Sequence, residues 1–273
     1  MIVRTVDIGN TSVKTKAFRV EPNLKVVSLD EMIVLGDPRA YWNKFEEWLL
    51  SRFRQNVLSL HLDAVLVSSP GIVNRYTGLI ERYSSIREWT LRPLQKNLSD
   101  VLGLSTVRIM NDGEAHLRAH LNNFTQYPAV ALSLGSAVGC CRTTINGQIM
   151  PPSECEVGDL RLPQLTLKVG HALGRIGFER LKNSTSSETE FNEIYSNDFI
   201  HLIIYLVDCW NAKQFVLSGG IVDCMGEQWG SFLQDVLRKQ GKYIKNEPQI
   251  RISKYGREAA LWGLAQSAYM LLE

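Results

Sequence analysis

The sequence lacks several features that would settle its class at once. No run of about 18 apolar residues occurs, so a membrane-spanning helix is not expected. The N-terminus starts directly in a strand-like segment broken by Asp7, which is not the pattern of a secretory signal. The five cysteines, at positions 140, 141, 155, 209 and 224, form no CxxC pair and no disulfide-framework spacing. Free thiols in a reducing cytosol are therefore expected, and with them a cytoplasmic location. Charge of one sign is missing as well: 30 Lys and Arg are balanced by 28 Asp and Glu, for a formal net charge of +2. That balance speaks against a dedicated nucleic-acid surface.

What is present is a globular composition, 45% hydrophobic over 273 residues, with room for one large or two medium domains. A short pattern occurs twice. Residues 2–11 read Ile-Val-Arg-Thr-Val-Asp-Ile-Gly-Asn-Thr, and residues 130–137 read Val-Ala-Leu-Ser-Leu-Gly-Ser-Ala. Each is a β-like run that breaks at a glycine, Gly9 or Gly135, and resumes as a second strand-like segment. A strand–turn–strand unit of this kind can aim backbone N–H groups at an anion, because glycine turns sharply and carries no side chain. Two such units predict two related halves acting on one phosphorylated ligand. The copies differ in one respect: Asp7 stands two residues before Gly9, whereas Ser133 stands two before Gly135.

Strands are predicted at 2–8, 13–20, 24–34, 64–67, 107–110, 129–134, 138–145, 215–217 and 249–253 from β-branched and apolar content. Helices are predicted at 38–57, 91–102, 113–122, 166–182, 189–211, 226–239 and 256–271 from apolar spacing. In the first of these helices Trp42, Phe45, Leu49 and Phe53 share a face, and Asp37-Pro38 supplies a start signal. Residues 183–189 read as a surface loop. Alternating strands and helices predict an α/β architecture, with a boundary near 113–128.

Several motifs carry chemistry, each with a plain alternative. Asp7-Ile8-Gly9-Asn10-Thr11 fits a phosphate-binding hairpin whose Asp7 reaches Mg²⁺ through water; it also fits an ordinary turn. Asp112 follows a short buried strand, where a carboxylate could take the proton of an attacking hydroxyl; it could equally cap the next helix. Ser69-Pro70-Gly71-Ile72-Val73-Asn74 reads as a ligand-facing loop or a plain one. Ser218-Gly219-Gly220 fits close approach of a flat base or a simple strand–helix turn. Glu156 and Asp159 could hold hydroxyl groups or be exposed acids. His116 and His120 are spaced i,i+4 without a third metal ligand nearby.

The order of these motifs resembles the ROK family of the hexokinase–actin superfamily over nearly the whole chain. Asp7–Thr11 is similar to its first phosphate motif, and Ser69–Asn74 to its proline–glycine sugar loop. Asn111-Asp112 is similar to its substrate Asn and catalytic Asp. Leu134-Gly135-Ser136-Ala137-Val138-Gly139 resembles its second phosphate motif, Glu156-Val157-Gly158-Asp159 its Glu-Ile-Gly-His, Ser218-Gly219-Gly220 its adenosine motif, and Glu258–Gly263 its alanine-rich closing helix. The chain departs from the family in four places. Ala137 replaces a glycine, and Asp159 stands where the family has a zinc- and sugar-binding histidine. Leu173 and Phe178 stand where it has cysteines, so no structural zinc is expected. Glu179 is one position out of register with a family acid. No helix–turn–helix precedes the first strand, unlike the repressor branch.

The resemblance implies two α/β domains of ribonuclease-H-like (actin/hexokinase) type with a cleft between them, 1–122 and 123–273, the last helix returning to the first. It implies ATP and Mg²⁺ as cofactors and a hexose or N-acyl hexosamine as acceptor. Asp112 is then the general base. Ser69, Pro70, Gly71, Asn74, Asn111, Glu156 and Asp159 face the sugar. Asp7, Gly9, Asn10, Thr11, Gly135, Ser136, Ala137, Gly219 and Gly220 face the nucleotide. A homodimer is the expected assembly. A non-catalytic sugar- or nucleotide-binding regulator is the alternative. A type III pantothenate kinase, to which Asp-Ile-Gly-Asn-Thr is also similar, is a further one.

Overall fold

Successive residues of a strand face opposite sides of its sheet, and here both sides are apolar. The computed structural model describes residues 1–56, 61–82, 89–240 and 247–272. They divide into two compact units, Met1–Ala119 with Ala260–Glu273, and His120–Ala259.

In the first unit β1 (Ile2–Ile8) pairs antiparallel with β2 (Val13–Val20). On the other side β1 runs parallel to β5 (Ala64–Ser69), which runs parallel to β8 (Val107–Asn111). Two short strands, β3 (Val26–Ser28) and β4 (Ile33–Gly36), extend the hairpin along β2. Val6, Ile8, Val65, Val67, Val107 and Ile109 meet α1 (Phe45–Asn56) and α2 (Leu94–Leu102) through Phe45, Leu49, Phe53, Leu94 and Leu98. Val3, Ala64, Leu66 and Met110 point the other way. They meet Ala115 of α3 (Asp112–Arg118) and the terminal helices α9 (Ala259–Gln266) and α10 (Ala268–Leu272) through Leu261, Leu264, Ala265 and Leu271. Each fully buried Phe or Leu on these faces contributes ~1.5–3 kcal/mol. A separate hairpin, β6 (Ile72–Asn74) and β7 (Leu79–Arg82), rises from the end of β5.

The second unit repeats the plan. Its strand order, β10-β9-β11-β12, matches β2-β1-β5-β8. The hairpin β9 (Ala129–Leu134) and β10 (Val138–Arg142) is followed by β11 (Gln214–Ser218) and β12 (Gln249–Ile252), both parallel to β9. Val130, Leu132, Leu134, Phe215 and Leu217 pack with Phe199, Ile203, Leu206, Leu233 and Leu237. These helical residues lie on α6 (Glu188–Trp210) and α8 (Trp229–Gln240). The short helices α4 (Val169–Ala172), α5 (Arg175–Ser184) and α7 (Gly220–Met225) complete the unit.

The structure corrects several sequence boundaries. The strand expected at 24–34 is two strands. Asp30 pulls the chain off the ladder by accepting from the Ala17 amide and from Arg4 Nη1, both at 2.6 Å. The helix expected from Leu91 begins at Leu94, because Pro93 disfavours helical backbone in Arg92. Leu91 lies outside, exposed and at φ 64°. The helix expected at 38–57 is a 3-10 turn (Arg39–Lys44) followed by α1; Val57 lies outside the described residues. The expected loop at 183–189 contracts to three residues. Ser187 caps α6 by accepting from the Glu190 amide at 3.1 Å, and Glu190 accepts from the Ser186 amide at 2.7 Å. The β5 strand runs past Val67, so Ser68 and Ser69 are buried strand residues and not a turn.

Candidate functional site

In the first unit the parallel strands end side by side. The register sets Asp7 opposite Ser68, and Ser69 opposite Asn111. The carboxyl edge of parallel strands is where open α/β sheets take ligands. Asp7 is buried; its Oδ1 accepts from Ser68 Oγ at 2.8 Å and its Oδ2 pairs with Lys14 Nζ at 3.0 Å. Burial pushes this carboxyl up, but Lys14, the field of His116 and the two hydrogen bonds outweigh it, so its pKa is lowered. The hairpin turn is tight: the Gly9 amide donates to Ser12 O at 2.9 Å, and a Cβ on Gly9 would stand 3.0 Å from that oxygen. Asn10 and Thr11 occupy the turn itself, at the surface.

The cap that the sequence offered to Asp112 falls to Asn111. Asn111 is the N-cap of α3, its Oδ1 accepting from the Glu114 amide at 3.0 Å, while its Nδ2 donates to Gly71 O at 2.8 Å. Asp112 is the first helical residue and is partly exposed, with Oδ1 accepting from the Gly113 amide at 2.8 Å. Gly71 takes φ 93°, a conformation that glycine adopts readily, where Pro70 leads the chain out of β5. Asn74 spends its side chain on the β6–β7 hairpin, accepting from the Tyr76 and Thr77 amides at 3.1 Å and donating to Glu81 at 2.9 Å.

In the second unit the Gly135-Ser136-Ala137 turn is closed by the Gly135 amide on Ala137 O at 3.0 Å. The Arg175 amide donates to Gly135 O at 2.9 Å, and a Cβ on Gly174 would stand 2.7 Å from Ser136 O, so the start of α5 lies on this turn. Gly219, at φ 103°, lies against β9: a Cβ there would be 2.5 Å from Leu134 O. Gly135, Ser136, Ala137, Gly219 and Gly220 are therefore brought together at the ends of β9 and β11. Arg175 joins them, its Nη2 3.7 Å from where a Gly220 Cβ would be. Glu156 and Asp159 are exposed on a segment whose Gly158 O accepts from the Gly170 amide at 2.9 Å. Asp159 pairs with Lys168 at 2.7 Å. Leu173 O accepts from Tyr195 Oη at 2.7 Å, and Phe178 meets Phe191 and Tyr195 edge-on at 4.9 and 5.2 Å.

Among the described residues no group of three or more His, Cys, Asp or Glu side chains is placed to hold a metal. Mg²⁺ in a phosphoryl-transfer site needs only one or two carboxylates beside the phosphates. Asp7 fits that outer role: each oxygen has one protein partner and keeps a second lone pair. No described helix is long and apolar enough to cross a membrane.

Sequence reasoning missed Lys14 and Ser68, and weighed His116 only as a metal ligand. Lys14 could have been found by counting outward from the Gly9–Ser12 turn, which places it across from Asp7. His116 is buried; desolvation, helped by Lys14 and opposed by Asp7, lowers its pKa from 6.5 to about 4. The unfolded chain then binds a proton between those values that the folded chain refuses, so stability is full above pH 6.5 and falls as pH drops toward 4. A shift of this size corresponds to a loss of about 3 kcal/mol. Denaturant titrations at pH 7 and pH 4.5 should show that loss, and His116→Gln should flatten it. An equal pH slope in the variant would refute the assignment.

No protein-family model and no curated protein matches the chain. Solved structures do. A ROK-family glucokinase from Streptomyces griseus, in complex with glucose and AMPPNP, is 16% identical with TM-score 0.73 over 99% of this chain and 100% of its own. A ROK hexokinase from Thermus thermophilus is 20% identical with TM-score 0.69 over 99% and 98%. A ROK-family transcriptional regulator, a homologue of the E. coli MLC protein, is 13% identical with TM-score 0.70 over 99% of this chain and 78% of its own. The chain therefore has the two-domain α/β fold of actin–hexokinase type, in the form shared by ROK kinases and regulators.

Proposed function

We propose that the chain is an ATP-dependent sugar kinase that phosphorylates a hydroxyl of a hexose or N-acyl hexosamine. The observation that carries this reading is the division of labour at the end of β8. Asn111 takes the capping role and holds the Gly71 loop, so Asp112 is not needed as a cap. Asp112 receives the hydroxyl proton as the new O–P bond forms and the bond from the γ-phosphorus to the bridging oxygen of ADP breaks. Phosphoryl transfer needs little covalent help, so positioning and charge neutralisation dominate. In the second unit the turns at Gly135–Ala137 and Gly219-Gly220 serve the nucleotide, and Glu156 and Asp159 serve the sugar. Asp7 would hold hydrated Mg²⁺, which would supply positive charge to offset that of the phosphates.

Two other readings have specific support. The regulator among the similar structures and the alanine at position 137 favour a binding protein without turnover. The Asp-Ile-Gly-Asn-Thr run favours a pantothenate kinase. An ADP-release screen over hexoses, hexosamines, N-acyl hexosamines and pantothenate separates the three. We expect release with one sugar class and none with pantothenate. Release with pantothenate alone overturns the proposal, as does calorimetric binding of a sugar without any ADP.

A further inference from the structure

The β6–β7 hairpin is held to the helix that carries Asp112 by a buried carboxylate outside every motif discussed so far. Glu114 is 2% exposed, and its Oε1 and Oε2 each meet a guanidinium at 2.8 Å, from Arg118 one turn along α3 and from Arg75 at the hairpin tip. Arg118 alone neutralises the carboxylate. Buried ion pairs contribute little net stability because desolvation offsets their attraction. The second guanidinium, reaching across 39 residues of sequence, thus has another use: it locates the hairpin.

The contacts close a ring. Gly71 O is held by Asn111 Nδ2, Asn111 Oδ1 by the Glu114 amide, and the Glu114 carboxylate by Arg75, from which the chain runs back through Asn74 to Gly71. The far side of the hairpin is fixed too. Gly78 abuts Gln95 of α2 so closely that a Cβ would stand 2.1 Å from the Gln95 Cβ. The Pro70-Gly71 loop and Asp112 therefore belong to one braced assembly.

We propose that Arg75, through Glu114, is a positioning residue that sets the distance between the Pro70-Gly71 loop and Asp112, and so the placement of the acceptor hydroxyl. This inference rests on the kinase reading above. A displacement of about 1 Å at such a site can cost up to 10²-fold in rate.

Arg75→Met is the test. Arg75 is 35% exposed, and Arg118 remains to pair Glu114, so the variant should fold with a nearly unchanged melting temperature. Its KM for sugar should rise ~10-fold and its kcat fall by ~10-fold or more, with KM for ATP and sugar-independent ATPase unchanged. Arg75→Lys should restore part of the loss. Unchanged sugar kinetics overturns the proposal. So does a joint rise of both KM values with a lowered melting temperature, which marks a merely structural role. If the wild-type chain releases no ADP with any acceptor, the kinase reading fails by itself. Calorimetry then decides the positioning role: weaker sugar binding by Arg75→Met supports it, and equal binding or no sugar binding by either form overturns it.

Discussion

Asp112→Asn should lower sugar-dependent ADP release by ~10²–10⁴-fold, the range for losing a general base, and leave the melting temperature almost unchanged. The amide is nearly isosteric and can still accept from the Gly113 amide through its oxygen. Asn111 keeps the cap and the Gly71 contact, neither of which uses the Asp112 carboxylate. The substitution removes the capacity to take up a proton, so kcat falls while sugar binding measured by calorimetry persists. Near-normal turnover of the best sugar by Asp112→Asn would refute the role given to this residue. Loss of both turnover and fold would show that the carboxylate is structural.

Gly263→Ala should be strongly destabilising for the addition of a single methyl group. The terminal helix α9 approaches α3 so closely that a Cβ on Gly263 would stand 1.8 Å from Ala115 O and 3.0 Å from the Ala119 amide nitrogen. Both obstacles are backbone, so neither can swing aside as a side chain would. Overpacking costs ~1–3 kcal/mol where neighbours can give, and the upper end or more is expected here. Gly135→Ala is the control for stability: a Cβ there meets nothing within 4 Å, and the change should stay within about 1 kcal/mol. A denaturant midpoint for Gly263→Ala equal to that of the control would refute the close approach. The variant should also lose activity beyond its loss of folded protein, because α3 carries Asp112 at its first position.

Much of this architecture was legible in the sequence. The two hairpins follow from apolar runs interrupted at Gly9 and Gly135, and the order of the later motifs carried the likeness to the ROK fold. The alanines of the closing helix now have a physical reason: Ala260 and Ala265 are fully buried in one cluster with Val3, Leu66 and Met110, where larger side chains would hold α9 away from the sheet. The sequence did not disclose pairings between distant segments. Nothing local marks Glu114 as the partner of Arg75, or Asp30 as the partner of Arg4. The cap read for Asp112 belongs to Asn111; both residue types cap well, and only the hydrogen-bond geometry separates them. Nor does anything local mark the three hydrogen bonds by which the Asn74 side chain ties the hairpin together.

One face of the first sheet is covered by residues 260–272, the last of the described chain. During synthesis this makes the two units unequal. When residue 259 has been made, the second unit has all its residues, whereas Val3, Phe18, Leu66 and Met110 still lack Leu261, Leu264 and Leu271. Domains tend to fold as units in the order they emerge, but here the unit that begins first finishes last. A ribosome-held chain ending near residue 250 should expose that bare sheet face to chaperones, and pulse proteolysis of such stalled chains should cleave the early unit faster than in the released 273-residue chain.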